Sequence, residues 1–444
     1  MPRDPIISVL ARAMLSCPAD AQEITQCATR ALGRPWGWLR PLAERYVQAF
    51  ASGPRPRHRQ AMDFIRHDRG FSRAWRRCSH RISVAHYLTG PQPMQPVPAA
   101  ARWEIPAIQS VGALAAWLEL TPAELDWFAD FKSLTYKSAS PQLRHYHYRV
   151  LLKRSGSLRL IEAPKPRLKQ LQRRILAEIL DPIPLHPAAH GFRRGHSIRT
   201  FAAPHTGQRV VLRMDLRDFF PSIIGARVQA FFRTAGYPEA VADLLGGICS
   251  NAAPPDAWNG AAALCAVPLD PRLLRDARAL YSRPHLPQGA PTSPALANLC
   301  AYRIDCRLSG LAQSAGAVYT RYADDLAFSG GEEFDRSVER FAAHAAAILG
   351  EEGFAVHHRK TRIMRQGVSQ RLAGLVANQR VNVPRADYDR LKATLTNCIR
   401  DGLESQNRHA HPLFRSHLEG RVGFVESINP ARGVRLRALL ERVR

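Results

Sequence analysis

YTRYADDLAFS, residues 319 to 329, alternates side-chain character on either side of two adjacent aspartates. A strand over Ala317 to Tyr322 runs into Ala323, Asp324 and Asp325. It emerges as Leu326, Ala327, Phe328 and Ser329, with Gly330 and Gly331 closing the unit. That pattern predicts a hairpin with both acids at its bend. Working outward, Gln208 to Asp215 alternates Val210, Leu212 and Met214 with Val211, Arg213 and Asp215, which predicts a strand that ends at Asp215. Three carboxylates then meet on one sheet edge.

An Asp pair in a turn is ordinarily just a solvated turn. Three acids gathered in a basic chain point elsewhere, because clustered like charges are costly unless neutralised and Mg2+ favours a few carboxylates plus substrate phosphates. Two such ions could activate an attacking 3'-hydroxyl and stabilise a leaving pyrophosphate. Between the acid sites lies LPQGAPTSPALANL, Leu286 to Leu299. Its glycine and prolines predict a rigid loop that presents Gln288, with Ser293 as N-cap and Pro294 as first residue of a helix. That helix is expected to turn Leu296, Leu299, Ile304 and Leu308 inward.

The 444 residues carry 63 Lys plus Arg against 37 Asp plus Glu, a net +26, so a polyanion is the first partner to suspect. With 45% hydrophobic and 23% charged residues, the composition excludes wholesale disorder and collagen-like or coiled-coil architecture. The length suggests about three domains. No apolar run is long enough to span a membrane, and the N-terminus has no leader pattern, so a cytoplasmic protein is expected. The eight cysteines form no C-x-x-C pair and are read as reduced, mostly buried thiols.

The segment to about Tyr87 is helical and basic, with nine arginines from Arg55 to Arg81 and Phe64, Phe71 and Trp75 among them. This suits either an RNA-contacting surface or a solvated helix face. Pro91, Pro93, Pro96 and Pro98 predict a linker. Thr121, Pro122 and Glu124 then predict a capped helix start. Tyr146 to Leu151 and Leu158 to Ile161 predict a hairpin with Lys153, Arg154, Ser155, Gly156 and Ser157 at its tip, suited to closing on a triphosphate. A helix with one apolar face is expected from Leu168 to Leu180.

Taken together, these motifs resemble the reverse transcriptases. Tyr322 to Asp325 (YADD) resembles their Y-x-D-D box, Asp215 to Ile223 (DLRDFFPSI) their first catalytic strand, and Leu286 to Leu299 their third signature. Within the family the chain looks most like bacterial retron-type enzymes, on Ala290 to Pro294 (APTSP), Ala189 to Ile198 (AHGFRRGHSI), Tyr319 to Ser329 and Leu418 to Pro430 (LEGRVGFVESINP). The G-G-V-I-S-P form of the third signature, typical of group II intron enzymes, is not present. Phe201 to His205 (FAAPH) keeps the Ala and His of the retron N-A-x-x-H element, and Leu372 to Gly374 (LAG) replaces V-T-G.

The resemblance implies an α/β (α+β) fold, a right-hand polymerase with fingers, ferredoxin-like palm and helical thumb. Residues 1–98 would be a basic helical extension and Pro-rich linker, 99–140 a helical connector, 141–384 fingers and palm, and 385–444 the thumb. It assigns two Mg2+ ions to Asp215, Asp324 and Asp325, and catalytic pyrophosphate protonation to Lys360. Lys153 and Arg159 would grip the triphosphate, Phe220 would block a 2'-hydroxyl, and Gln288 would lie beside the incoming sugar. Arg73, Arg76, Arg77, His205 and Arg435 are candidate RNA contacts. The expected function is RNA-directed DNA polymerisation, copying part of a structured non-coding RNA into single-stranded DNA in anti-phage defence. Expected partners are dNTPs, that RNA and an effector protein, with no membrane. The alternatives are a reverse transcriptase of another bacterial lineage, of abortive-infection or domesticated type, and a catalytically silent RNA-binding scaffold.

Overall fold

The computed structural model describes residues 3–443 except 52, 87–91, 132–133, 138–139, 154–155 and 260–269. Two units divide the chain: Met1–Pro184 with Phe220–Cys300, and Leu185–Phe219 with Ala301–Arg444.

In the first unit, the helices Arg3–Leu15, Ala21–Leu32, Leu39–Phe50, His58–His67 and Arg69–Cys78 share one core. Ile6, Ile7, Leu10, Ile24, Leu42 and Phe71 fill it. Asp20 caps the second helix by accepting the Gln22 and Glu23 N–H groups, and Gly33, at φ +74°, ends it in the left-handed region. Asp68 caps the fifth through the Phe71 N–H and also accepts from Arg45 at 2.7 Å. One expectation is corrected here: Cys17 and Cys27 are joined in a disulfide rather than being free thiols. Cys17 follows the first helix and Cys27 lies in the second, and that core holds the two helices side by side, a proximity that sequence spacing does not show.

Pro91, Tyr87, Arg154, Ser155 and Cys265 lie outside the described residues. Past Pro91 the linker runs as extended chain, with the Gln95 and Val97 N–H groups donating to the Gly236 and Thr234 carbonyls. Thr121 and Glu124 form the expected capping box of the helix Pro122–Ala129. The hairpin forms as β1 (Tyr146–Leu152) and β2 (Leu158–Pro164), in register Tyr146 to Pro164. The helix after it is α-helical over Pro166–Ile175 and widens to a π turn over Leu176–Leu180, closed by Asp181 N–H to Leu176 O. Pro182 and Pro184 follow, which cannot continue a helix.

The second unit holds an antiparallel sheet. β3 (Val210–Arg217) is central, flanked by β5 (Asp325–Gly330) and then β4 (Val318–Tyr322) on one side. β6 (Ala355–Val356) and β7 (Arg362–Arg365) pair with successive parts of its other edge. The order β4-β5-β3-β6, with the helix Tyr302–Ser314 before β4 and Glu332–Glu351 between β5 and β6, is the ferredoxin-like arrangement. β3 is buried on both faces and runs two residues beyond the expected end at Asp215. The second helix buries Phe334, Val338, Phe341, Ala345 and Leu349 at helical spacing. Phe328 of β5 stacks on Tyr319 of β4 and meets Phe341 edge-on.

The expected long helix after Ser293 is two helices, Ser293–Cys300 and Tyr302–Ser314, broken at Ala301. Leu296, Leu299, Ile304 and Leu308 are all buried. Towards the C-terminus, the helices Arg385–Asp401, Phe414–Ile428 and Pro430–Glu441 pack Leu391, Leu395, Val422, Val425, Leu436 and Leu440 together. Among the described residues no helix is long and apolar enough to cross a membrane.

Candidate active site

Three strands of the second unit set out the carboxylates. Asp215 and Asp325 are direct cross-strand partners of β3 and β5, so the period-2 pleat points both to one sheet face. Tyr322 pairs with Asp325 and closes the hairpin through a two-residue turn, Ala323 and Asp324. Asp324 is tied down at its carbonyl, which accepts the Leu216 N–H at 2.9 Å. Ala323 stands at φ +56°, where a non-glycine residue is strained, so surrounding contacts must hold it.

Those contacts are present. Arg321, fully buried, forms a bidentate pair with Asp305, Nε to Oδ1 at 2.8 Å and Nη2 to Oδ2 at 2.6 Å. Its remaining Nη1 donates to the Ala323 carbonyl at 3.2 Å. Tyr319 adds a hydroxyl bond to Asp305 at 2.8 Å. Arg321's backbone is clasped by Ala188 and His190, and Gly191 lies directly over the turn, where a Cβ would come within 2.5 Å of the Ala323 nitrogen.

Like charges opposite one another in a sheet repel, and the site shows both the repulsion and its relief. Burial, together with the neighbouring Asp215 and Asp325, pushes the Asp324 carboxyl up to about 6. Burial also raises Asp325, against the pull of Arg213, whose Nε and Nη2 donate to Asp325 Oδ1 at 2.9 and 2.6 Å. Lys360 Nζ donates to Asp215 Oδ1 at 2.8 Å, so the structure brings together Asp215, Asp324, Asp325 and Lys360. Arg213 was not singled out from the sequence. Its signal was its position two residues before Asp215, on the same strand face.

Among the described residues no three His, Cys, Asp or Glu side chains form a ready-made metal cage. The donor chemistry nevertheless fits a hard divalent cation: all-oxygen carboxylates, one with its proton affinity raised by burial and then by its acidic neighbours, are what such an ion relieves when substrate oxygens complete its shell.

His205 is not a surface group. It is fully buried, Nδ1 at 2.6 Å from Ser329 Oγ and Nε2 at 2.7 Å from Thr320 Oγ1, which corrects its expectation as an RNA contact. The Thr320 hydroxyl donates to the Phe201 carbonyl, so Nε2 carries the ring proton and Nδ1 accepts from Ser329. Burial first, then His190, lowers its pKa to about 3. The short polar side chains of β4 and β5 make the pocket, a feature that local sequence does not reveal.

The other expected residues, Arg435 apart, belong to the first unit. Lys153 is half-buried at the tip of the β1–β2 hairpin, its N–H donating to the Ser157 carbonyl. Arg159 is exposed on β2 and Phe220 is half-buried. Gln288 is half-buried, and its buried side-chain oxygen accepts no hydrogen bond from the described residues. Arg73, Arg76 and Arg77 are exposed on the helix Arg69–Cys78. Arg435, in the second unit, is exposed on the last helix.

A ferredoxin-like sheet with one acid on its central strand and two at the adjoining hairpin turn defines the palm of a right-hand polymerase. The family described as reverse transcriptase (RNA-dependent DNA polymerase) matches residues 151–391. The chain belongs to the reverse transcriptase family. It is 43% identical over 296 residues to the retron Mx65 reverse transcriptase of Myxococcus xanthus, covering 66% of this chain and 64% of that one. To the retron Mx162 enzyme of the same organism it is 36% identical over 340 residues, covering 73% and 65%. To the retron Ec86 enzyme of Escherichia coli it is 33% identical over 239 residues, covering 54% and 64%. The chain thus spans just under two thirds of the length of these relatives. Family membership implies dependence on a divalent metal.

Proposed function

We propose that the chain is an RNA-directed DNA polymerase of retron type, copying part of a partner non-coding RNA into single-stranded DNA. The observation that carries this reading is the cross-strand Asp215–Asp325 pair with Asp324 at the adjoining turn. A scaffold that only bound RNA would gain nothing from three gathered carboxylates, which repel phosphate.

Magnesium, held as two ions by Asp215, Asp324 and Asp325, would supply Lewis-acid charge to the attacking 3'-hydroxyl and the departing pyrophosphate. Lys360, already donating a hydrogen bond at Asp215 Oδ1, is the proton donor to that leaving group. Lys153 and Arg159 bind the triphosphate, Phe220 excludes a 2'-hydroxyl, and Gln288 contacts the incoming sugar. Arg73, Arg76, Arg77 and Arg435 hold structured RNA through its phosphates. The setting we infer is cytoplasmic anti-phage defence with an effector protein.

The test is primer extension on an RNA template with added Mg2+. Asp324→Asn is expected to abolish synthesis while RNA binding persists. Synthesis retained by that variant sinks the assignment, and a product unrelated to the template moves the chain to an untemplated lineage.

A further inference from the structure

The fingers hairpin carries a carboxylate where a strand facing the core should carry an apolar side chain. Along β2, Leu158, Leu160, Glu162 and Pro164 form the buried face, while Arg159 and Ala163 point outward. Glu162 is fully buried. An ionised carboxylate in that position persists only with partners. It has two side-chain partners: His285 Nε2 at 2.9 Å from Oε2, and Asn251 Nδ2 at 2.7 Å from Oε1.

Both partners lead to the Leu286–Leu299 segment. His285, also fully buried, immediately precedes it and exchanges backbone hydrogen bonds with Asn251, both at 3.0 Å. The His285 Nδ1–H donates to the Arg283 carbonyl at 2.8 Å, and the Nε2–H is left for Glu162. Both ring nitrogens therefore act as donors, the state of an imidazolium. Burial opposes that charge, but the Glu162 carboxylate outweighs it and the His285 pKa is raised. The main chain repeats the grip: the Glu162 N–H donates to the Gln288 carbonyl at 2.8 Å. Gly289, at φ +137°, abuts the carbonyl of the same residue, where a Cβ would come within 2.7 Å of the Glu162 backbone oxygen.

We propose that the Glu162–His285 pair is a latch that positions Gln288 for recognition of the incoming deoxynucleotide. It rests on the reading of the chain as a DNA polymerase. One residue of β2 holds the loop at His285 by its side chain and at Gln288 by its backbone. Arg159, three residues earlier on the same strand, is the proposed triphosphate grip, so the latch links the two nucleotide contacts mechanically. Among the described residues the Gln288 side-chain oxygen accepts no hydrogen bond, and the main-chain grip at its carbonyl sets the place of its backbone.

The test measures KM for dNTP and kcat separately, with dNTP over rNTP discrimination, on an RNA template with a DNA primer. His285→Leu removes the donor to Glu162, and His285→Gln keeps one. The expected result is a dNTP KM raised about tenfold in His285→Leu, with a smaller change in kcat, weakened discrimination, and recovery in His285→Gln. Should His285→Leu fail to fold, Asn251→Ser, which loses the second tether to Glu162 together with the bond to the Tyr148 hydroxyl, is expected to move KM in the same direction. A merely structural pair predicts fewer active molecules, hence a lower kcat at unchanged KM and unchanged discrimination, and that result overturns the latch. A wild-type chain that incorporates no deoxynucleotide fails the polymerase reading itself and the latch with it.

Discussion

Gly191→Ala is the sharpest perturbation of the acid turn, because it adds one methyl group at a site with no room for it. The added Cβ would lie 2.5 Å from the Ala323 nitrogen and 3.1 Å from the Tyr322 carbonyl carbon, where ordinary contact begins near 3.4 Å. Both neighbours are backbone, so neither can swing aside. Gly191 is not among the glycines at positive φ, which leaves the contact as the only cost of the substitution. His190 and Ala188 are bonded to Arg321 at 2.8 and 2.7 Å, and Arg321 holds Ala323, so the strain falls on the turn that carries Asp324. A displacement approaching 1 Å at a reacting centre costs on the order of 100-fold in rate. Overpacking of this kind costs about 1 to 3 kcal/mol of stability. Single-turnover extension at saturating dNTP is the assay, and the expected rate is about 10- to 100-fold below wild type with RNA binding retained. A Gly191→Ala chain that extends at the wild-type rate refutes the account of how the turn is held.

Three further outcomes are expected. His205, held near pKa 3 in the fold against 6.5 in the unfolded chain, stays neutral while the unfolded chain takes up its proton. Stability is therefore complete above pH 6.5 and is lost progressively as pH falls towards 3. That loss is about 2 kcal/mol by pH 5, read as a denaturation midpoint that His205→Gln makes less acid-sensitive. Lys360→Ala should lower kcat by about 100-fold with little change in dNTP KM, and Lys360→Arg, which keeps the ion pair to Asp215 but gives up its proton far less readily, should recover little of it. Replacing Arg73, Arg76 and Arg77 together by Ala should reduce the slope of log affinity for RNA against log salt by about 2 to 3, while extension of a short primer-template is unaffected.

The paired acids were legible because a period-2 pattern interrupted by two aspartates has few structural solutions, and β3 announced itself by the same alternation. The capping box at Thr121 and Glu124 was equally local, four residues whose hydrogen bonds close on themselves. What escaped depended on register or on distant partners. Arg213 matters because β3 pairs with β5 so that Asp325 lies diagonal to it, and nothing in the sequence of either strand states that pairing. Glu162 and His285 are 123 residues apart, and each alone reads as an ordinary polar residue. His205, the histidine of the FAAPH stretch, carries no local mark of its burial. Only the hydroxyls of Thr320 and Ser329 make its burial tolerable. The break at Ala301 likewise left no mark in an apolar pattern that continues through both helices.

The most direct test of the central claim is to express the gene with its flanking genomic DNA, as wild type and as Asp325→Ala, and resolve the small nucleic acids on a denaturing gel with and without RNase and DNase. The account predicts a discrete DNase-sensitive band in the wild type alone, shortened by RNase and complementary in sequence to an RNA from the same locus. The same band in Asp325→Ala, or a wild-type chain that makes no such DNA and extends no primer on RNA, would contradict it.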